Sequence, residues 1–122
     1  MAKILVAEDD KYLARVYQAK FTKAGFEVRI GADGEEAEKI LQTFIPNIIL
    51  LDLIMPKKDG FEVLRDLKLS EKFKNIPVIV TSNLAQPEDK QKALAMGANE
   101  YIVKSDVPIQ GIVDKIKQLM TS

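Results

Sequence analysis

The chain has 122 residues, of which 47% are hydrophobic and 30% are charged, a composition typical of a soluble globular protein with one hydrophobic core. Its 18 Lys and Arg residues balance 18 Asp and Glu residues, so it lacks the surplus of positive charge expected of a nucleic-acid-binding surface. The absence of cysteine and histidine excludes disulfide bonds, thiolate catalysis and zinc–sulfur sites, and it removes the commonest general base.

Nothing in the sequence points to a membrane. No apolar run approaches the roughly 20 residues that a membrane-spanning helix needs. The opening MAKILVAEDD is too short and becomes acidic too early for a secretory signal peptide. We therefore expect a cytoplasmic protein that binds neither membrane nor nucleic acid directly, and whose chemistry uses carboxylates, hydroxyls and lysines.

Short apolar runs alternate with amphipathic stretches along the chain. In chain order, the sequence predicts strand KILVAE (3–8), a helix over 11–24, strand FEVRI (26–30), a helix over 34–44, strand NIILLDL (47–53), a helix over roughly 60–69, strand PVIVTS (77–82), a helix starting near Pro87, strand EYIVK (100–104) and a helix over 108–120. The first, third and fourth strands are apolar at both alternating sets of positions, as strands covered on both faces are.

Signals at the helix ends support these assignments. Asp33, with Glu36 three positions later, predicts a capping box, and Pro108 suits a first helical turn. Gly25 and Gly97 suit the C-terminal ends of the first and fourth helices.

Alternation of strand and helix predicts an α/β fold. A (βα)5 chain forms a parallel sheet with right-handed crossovers and helices on both faces. The common arrangement for five units is the flavodoxin-like three-layer sandwich with strand order 2-1-3-4-5. In that order the first and third strands are neighbours, and a ligand crevice lies beyond their C-terminal ends. We expect residues 1–122 to form this single domain.

Carboxylates follow two of the predicted strands. Glu8, Asp9 and Asp10 follow the first strand, and Asp52 lies near the end of the third. Two carboxylates about 4 Å apart repel each other by roughly 4 kcal/mol at an effective dielectric constant of 20. A cluster of this kind needs a divalent cation or a lysine. Mg²⁺ suits it, because that ion takes oxygen ligands from one or two carboxylates and from phosphate groups.

Two further polar side chains lie at predicted strand ends. Thr81 is near the end of the fourth strand and Lys104 ends the fifth. Taken singly, a strand threonine, a terminal lysine or an acidic first turn needs no functional explanation. Together, a metal, an ammonium and a hydroxyl could hold a phosphoryl group on Asp52, which predicts Asp52 as a nucleophile.

With these residues in place, the chain resembles a response-regulator receiver domain, the phosphoacceptor module of two-component signalling. ILVAEDD, LLDLIMPKKDGFEVL, VIVTSN and GANEYIVK match the four sequence blocks of that family in order and spacing, over essentially the whole chain. The resemblance implies that Asp52 is the phosphorylation site. It also implies that Glu8, Asp9, Asp52 and the backbone carbonyl of Ile54 hold Mg²⁺.

The same resemblance implies a conformational switch. Lys104 would bind the phosphoryl group and Thr81 would reach toward it, because the group adds nearly two negative charges and three acceptor oxygens. The loop 82–88 would follow Thr81, and Tyr101 would turn inward. The surface of the fourth helix, fifth strand and fifth helix would then change, and would signal to a protein effector or pair two copies of the chain.

The phosphodonor is expected to be another protein, because this chain has no histidine. A sensor histidine kinase or a histidine phosphotransfer protein would dock near the start of the first helix, at Lys11, Ala14, Arg15 and Gln18. The chain would catalyse only its own phosphotransfer and slow dephosphorylation, so it is not expected to be an enzyme. It ends just after the fifth helix, which fits a stand-alone regulator or an excised receiver.

Other functions are possible on the same fold. A phosphatase of the haloacid-dehalogenase type uses a similar aspartyl nucleophile, but it needs a second Asp where this chain has Ile54. A pseudo-receiver would be a folded binding module that is never phosphorylated. A flavin carrier is excluded, because the acids after the first strand would repel the flavin phosphate.

Ser105 departs from the family pattern. The family usually has a proline after the lysine, joined by a cis bond, and here Ser105 follows Lys104. Since a cis bond to a residue other than proline costs about 3–4 kcal/mol, we predict a trans bond and an altered loop at 104–108. This departure keeps the pseudo-receiver open.

Ile54 predicts a long-lived phosphoryl group. Its apolar side chain, two residues after Asp52, cannot orient a water molecule and should shield the acyl phosphate. We expect slow self-dephosphorylation, and faster loss of the phosphoryl mass in Ile54→Asn. Unchanged or slower decay in that variant would contradict the prediction.

Overall fold

The computed structural model describes residues 2–83 and 86–121. The strands are β1 (Lys3–Ala7), β2 (Glu27–Gly31), β3 (Ile48–Asp52), β4 (Val78–Ser82) and β5 (Glu100–Val103). The helices are α1 (Lys11–Lys23), α2 (Gly34–Leu41), α3 (Gly60–Leu69), α4 (Pro87–Ala95) and α5 (Ile109–Thr121). Each predicted strand is present, within one residue of its predicted bounds. In these ranges no helix combines the length and the apolar character that crossing a bilayer requires.

The strands form one parallel sheet in the order β2-β1-β3-β4-β5, as predicted. Helices α1 and α5 pack on one face, and α2, α3 and α4 pack on the other. The chain therefore has the flavodoxin-like α/β fold, with β1 and β3 adjacent at the centre of the sheet.

The core lies in two layers, one on each face of the sheet. Strand β1 shows how alternation divides it: Ile4 and Val6 pack with α1 and α5, whereas Leu5 and Ala7 pack with α2, α3 and α4. Every residue of β3 is buried. Because each buried Leu or Ile contributes about 1.5–3 kcal/mol, these layers hold the strand ends in fixed positions.

Helix ends follow the local signals with two differences. Helix α2 ends at Leu41 instead of residue 44, although Phe44 is still buried. Pro46 disfavours helical backbone at the residue before it, so the chain leaves the helix early. Pro108 precedes α5 instead of lying in its first turn, and its carbonyl accepts the first helical bond, from Ile112.

The predicted caps are present. Asp33 accepts a hydrogen bond from the N–H of Glu36 (2.8 Å), and the Glu36 carboxylate accepts one from Ala32, one residue before the usual capping-box donor. Gly25 and Gly97 have φ values of +98° and +108°, in the region that favours glycine after a helix.

Gly60 lies where the chain turns from β3 back toward α3. Its N–H donates to the carbonyl of Leu53 (2.8 Å), which closes the loop between them. A Cβ atom at Gly60 would lie 2.4 Å from the backbone oxygen of Asp52. The absence of a side chain at this position therefore lets α3 begin directly against the end of β3.

We predict that Gly60→Ala destabilises the protein by about 3 kcal/mol, because neither backbone segment can move without disturbing the sheet. Gly25→Ala is the matched control: it has a left-handed φ but no atom within 4 Å of an added Cβ. It should cost only about 1–2 kcal/mol. Urea unfolding measures both, and an equal or smaller loss in Gly60→Ala would contradict the steric explanation.

Candidate functional site

The strand order brings four side chains from separate parts of the chain to one edge of the sheet. Glu8 directly follows β1, Asp52 ends β3, Thr81 lies in β4 and Lys104 directly follows β5. All four strands are parallel, so their C-terminal ends meet at this edge. The convergence predicted from the sequence is therefore present.

Lys104 lies between the two buried carboxylates. Its Nζ is 2.7 Å from Oε1 of Glu8 and 3.0 Å from Oδ2 of Asp52. The side chains of Glu8 and Asp52 are 1% and 5% exposed, and that of Lys104 is 12% exposed. An unpaired charge at this depth would cost several kcal/mol, so the ammonium is what makes two carboxylates tolerable here.

Backbone N–H groups bind the remaining carboxylate oxygens. The N–H of Ile54 donates to Oδ1 of Asp52 (3.3 Å), and that of Asp10 donates to Oε2 of Glu8 (3.1 Å). The Asp10 carboxylate caps α1 by accepting from the N–H of Leu13 (3.1 Å). Asp10 is thus committed to the helix end, whereas Glu8 and Asp52 face the site.

The pKa values follow from burial and mutual charge. Burial raises the pKa of Glu8 to about 7; the Asp52 charge adds to the rise, and hydrogen bonds from Lys104 and Asp10 oppose it. Burial alone would lower the pKa of Lys104, but the bonds and charges of Glu8 and Asp52 together raise it. Lys104 therefore stays protonated, while Glu8 can exchange a proton near neutral pH.

The donor set fits a divalent cation. Glu8, Asp9 and Asp52 each offer a carboxylate oxygen, and these atoms lie within 4.8 Å of one another. Three carboxylates and the Lys104 ammonium carry a formal charge of −2 when all are ionised. Carboxylate oxygens are hard ligands of the kind that Mg²⁺ takes.

A cleft of about 420 Å³ opens above these groups, lined by Glu8, Asp9, Asp10, Leu13, Asp52, Ile54, Asn83 and Lys104. Ile54 thus borders the cleft, and its role as a carbonyl ligand stays a prediction. Its side chain is 56% exposed and lies at the cleft opening.

Thr81 and Tyr101 lie close to the site but in different surroundings. Thr81 is buried and is the register partner of Asp52, so the two side chains share one face of the sheet. Tyr101 packs in the core layer of α2, α3 and α4 and is only 9% exposed. Burial raises the pKa of Tyr101, against a side-chain hydrogen bond with Ser82 that lowers it.

Tyr101 is therefore buried in this structure, and its predicted coupling to Thr81 stays a prediction. Ser82, its hydrogen-bond partner, was not singled out from the sequence. The available signal was a second hydroxyl directly after Thr81. Of the predicted mobile loop 82–88, residues 84 and 85 lie outside the described residues.

The Lys104–Ser105 peptide bond is trans, as predicted. The N–H of Lys104 donates to the carbonyl of Ser82 (2.8 Å), which extends the β4–β5 pairing by one residue. The chain then turns, with the N–H of Asp106 donating to Val103 (3.0 Å). The side chain of Lys104 reaches both carboxylates although no proline follows it.

The start of α1 differs in part from the expected docking surface. Lys11, Arg15 and Gln18 are exposed, but Ala14 is only 9% exposed, because it faces the sheet. Ala14 therefore offers little exposed surface for docking. Tyr12, which the sequence reasoning missed, is 71% exposed in the first turn of α1.

Tyr17 is a core residue whose hydroxyl is affected by the charges of the site. Its hydroxyl is buried between α1 and the sheet, and no hydrogen-bond partner for it lies among the described residues. Burial raises the pKa of Tyr17, and the charges of Glu8 and Asp52 raise it further. The negative potential of the carboxylates thus reaches the layer beneath them.

Comparison with known proteins identifies a family. The sequence model of the response regulator receiver domain matches residues 4–117. The probable transcriptional regulator ycf27 of Cyanophora paradoxa is 39% identical over 87% of this chain and 43% of its own length. A gliding motility regulatory protein of Myxococcus xanthus is 40% identical over 91% of this chain and 14% of its own length. The chain thus spans less than half the length of these relatives.

Solved structures are similar over most of the chain. The receiver domain of the Francisella response regulator 1452 has a TM-score of 0.87 and 32% identity, and the match covers 98% of this chain and 96% of that one. The Mn²⁺-bound form of response regulator Rcp1 has a TM-score of 0.80 and 34% identity, with 85% of this chain and 81% of that chain covered.

The raised pKa of Glu8 predicts a pH dependence of stability in metal-free protein. The folded pKa of about 7 lies above the ordinary glutamate pKa of 4.5, so between these values the folded state binds more protons than the unfolded state. The stability contributed by Glu8 is therefore fully present below about pH 4.5 and is lost as the pH rises through about 7, by up to roughly 3 kcal/mol.

Urea unfolding in a chelator, from about pH 5 to about pH 8, measures this effect as the difference between the wild type and Glu8→Gln. Glu8→Gln cannot titrate at that position, so it should lose this part of the pH dependence. A difference between the two proteins that stays flat, or that favours the wild type as the pH rises, would contradict the prediction.

Proposed function

Since this chain belongs to the response-regulator receiver domain family, we propose that it accepts a phosphoryl group on Asp52 and signals through the resulting change of surface. The observation that carries the proposal is the position of Lys104, whose ammonium binds Asp52 and Glu8 at the C-terminal edge of the sheet. This is where a nucleophile, a cation and a hydroxyl can all reach one phosphoryl group.

The proposed reaction is a transfer from a phosphohistidine. A carboxylate oxygen of Asp52 forms a bond to phosphorus while the N–P bond of the donor breaks, and the electron pair of that bond returns to the imidazole nitrogen. Lys104 enters the reaction protonated and already within bonding distance of Asp52, so it can turn to a phosphoryl oxygen with little movement. The hydroxyl of Thr81, on the same face, supplies a further donor.

Glu8, Asp9, Asp52 and the carbonyl of Ile54 would hold Mg²⁺. When bound, the ion would supply positive charge that reduces repulsion between Asp52 and the incoming phosphoryl oxygens and would orient those oxygens. The carboxylate cluster supports this assignment, as does the binding of Mn²⁺ by the related Rcp1. Glu8 would give up any proton it holds on binding the ion.

The surface formed by α4, β5 and α5 would change on phosphorylation and bind the downstream partner. Helix α4 is loosely held: Ala93 is its only buried residue within the described part of the chain, and its N-cap residue Gln86 makes no side-chain capping bond. We propose that phosphorylation stabilises one arrangement of Thr81, Tyr101 and α4 over another. The change would recruit a protein effector or a second copy of the chain.

The partners follow from the same proposal. A sensor histidine kinase or a histidine phosphotransfer protein would supply the phosphoryl group and contact exposed side chains such as Ile54 at the cleft and Tyr12 in the first turn of α1. The chain would be a cytoplasmic signalling phosphoacceptor, not an enzyme that turns over a separate substrate. Direct contact with DNA or membrane is no part of the proposal.

Incubation with acetyl phosphate and Mg²⁺, followed by intact-mass measurement, tests the proposal. We expect the wild type to gain one phosphoryl group and Asp52→Asn to gain none. Asp106→Asn, which removes an exposed carboxylate outside the acid cluster, is the matched control and should behave as the wild type.

Failure of the wild type to gain mass, in folded protein with Mg²⁺ present, would support the pseudo-receiver instead. That alternative is less well supported now, because Lys104 reaches Asp52 despite Ser105. Repeated release of phosphate from a phosphate ester would support a phosphatase.

A further inference from the structure

Lys58 lies in the β3–α3 loop, which we define as residues 53–59, and its ammonium is held between two helices. Nζ of Lys58 is 2.7 Å and 2.8 Å from the two carboxylate oxygens of Glu38 in α2. It also bonds Oδ2 of Asp66 in α3. The side chain of Lys58 is only 20% exposed. One ammonium therefore joins the loop to both neighbouring helices.

Further contacts restrain residues 56–58 of the β3–α3 loop. The N–H of Lys58 donates to the carbonyl of Pro56 (2.8 Å), around Lys57 with its left-handed φ of +67°. The backbone of Lys58 also presses on α2, since a Cβ on Gly34 would lie 2.0 Å from the Lys58 carbonyl oxygen. The loop is thus closed at Gly60 and attached to α2 and α3 through Lys58.

This loop carries the groups that border the proposed phosphorylation site. Ile54 donates its N–H to Asp52 and places an exposed apolar side chain at the opening of the cleft. Only three residues separate Ile54 from Lys58, so release of Lys58 would free the segment between them. Without the ammonium, the carboxylates of Glu38 and Asp66 would also repel each other across the gap between α2 and α3.

We propose that Lys58 is a positioning residue for the chemistry at Asp52: its bonds to Glu38 and Asp66 hold Ile54 in place over the acyl phosphate. The inference rests on the proposed function and adds to it a residue that touches neither the phosphoryl group nor the cation. Loss of the anchor lets water reach the acyl phosphate and weakens cation binding through the Ile54 carbonyl.

The charge state of the anchor suits this role. The hydrogen bond to Asp66, and to a lesser extent those to Glu38, raise the pKa of Lys58. The bond from Lys58 lowers the pKa of Asp66. The ions therefore persist across neutral pH, where the acyl phosphate would form.

Lys58→Met tests the anchor. We expect the phosphoryl group to be lost about three- to tenfold faster than in the wild type. Intact-mass measurements over time follow this loss. We expect Mg²⁺ to bind about tenfold more weakly, measured by calorimetry on unphosphorylated protein. Amide hydrogen exchange over 53–59 should also be faster in metal-free protein. Lys58→Arg, which can bond both carboxylates, should restore all three values to within about twofold of the wild type.

Two controls separate positioning from general destabilisation. Lys57→Met removes a neighbouring ammonium that is 63% exposed and 3.7 Å from Asp33, and it should behave as the wild type. Gly25→Ala lowers stability away from the site and should keep the wild-type decay. If Lys58→Met does not fold, Glu38→Gln removes one partner of the same ammonium and should shift the three values in the same direction.

The outcomes distinguish this inference from the function on which it rests. Wild-type decay and wild-type exchange in a folded Lys58→Met would overturn the anchor while leaving phosphorylation of Asp52 intact. A wild type that accepts no phosphoryl group would overturn the proposed function. Hydrogen exchange in the metal-free variants would then still decide whether Lys58 holds the loop.

Discussion

One ammonium group between two buried carboxylates sets the character of this molecule. Lys104 bonds both Glu8 and Asp52, residues separated from it by 96 and 52 positions in the sequence. Without the ammonium, both buried carboxylates would be left uncompensated, at a cost of several kcal/mol. The bonds tie β1, β3 and β5 together at one edge of the sheet, so the same contact that completes the fold also forms the proposed site.

The site and its surroundings differ in how firmly they are held. The carboxylates lie at the ends of central strands whose apolar residues fill two core layers, and Lys58 anchors the β3–α3 loop to α2 and α3. Helix α4, by contrast, contributes a single buried residue, Ala93. Under the proposed function, a change of charge at Asp52 would be expressed in α4, the helix with the fewest buried residues, as a two-state switch.

Much of the fold and the main site were predictable from local patterns. The strand bounds, the parallel order and the convergence of Glu8, Asp52 and Lys104 all followed from apolar periodicity and from the few topologies open to five βα units. The end of α2 was misjudged because Phe44 is buried outside the helix, so its apolar character extended the helical pattern. The Lys58 anchor was missed because nothing in a run of charged residues shows which partners each will meet.

The sequence by itself determined the periodicity, the caps and the kinds of side chain at the strand ends, because these depend on neighbours within a few positions. Only the tertiary structure decided which donor each carboxylate oxygen receives, that Tyr101 bonds Ser82 in its buried position, and that Ala14 faces the sheet while Tyr12 faces solvent. Those outcomes depend on the packing of segments far apart in the chain. Burial then raised the pKa of Glu8, and contacts with Glu8 and Asp52 raised the pKa of Lys104, because the free energy of a buried charge depends on everything packed around it.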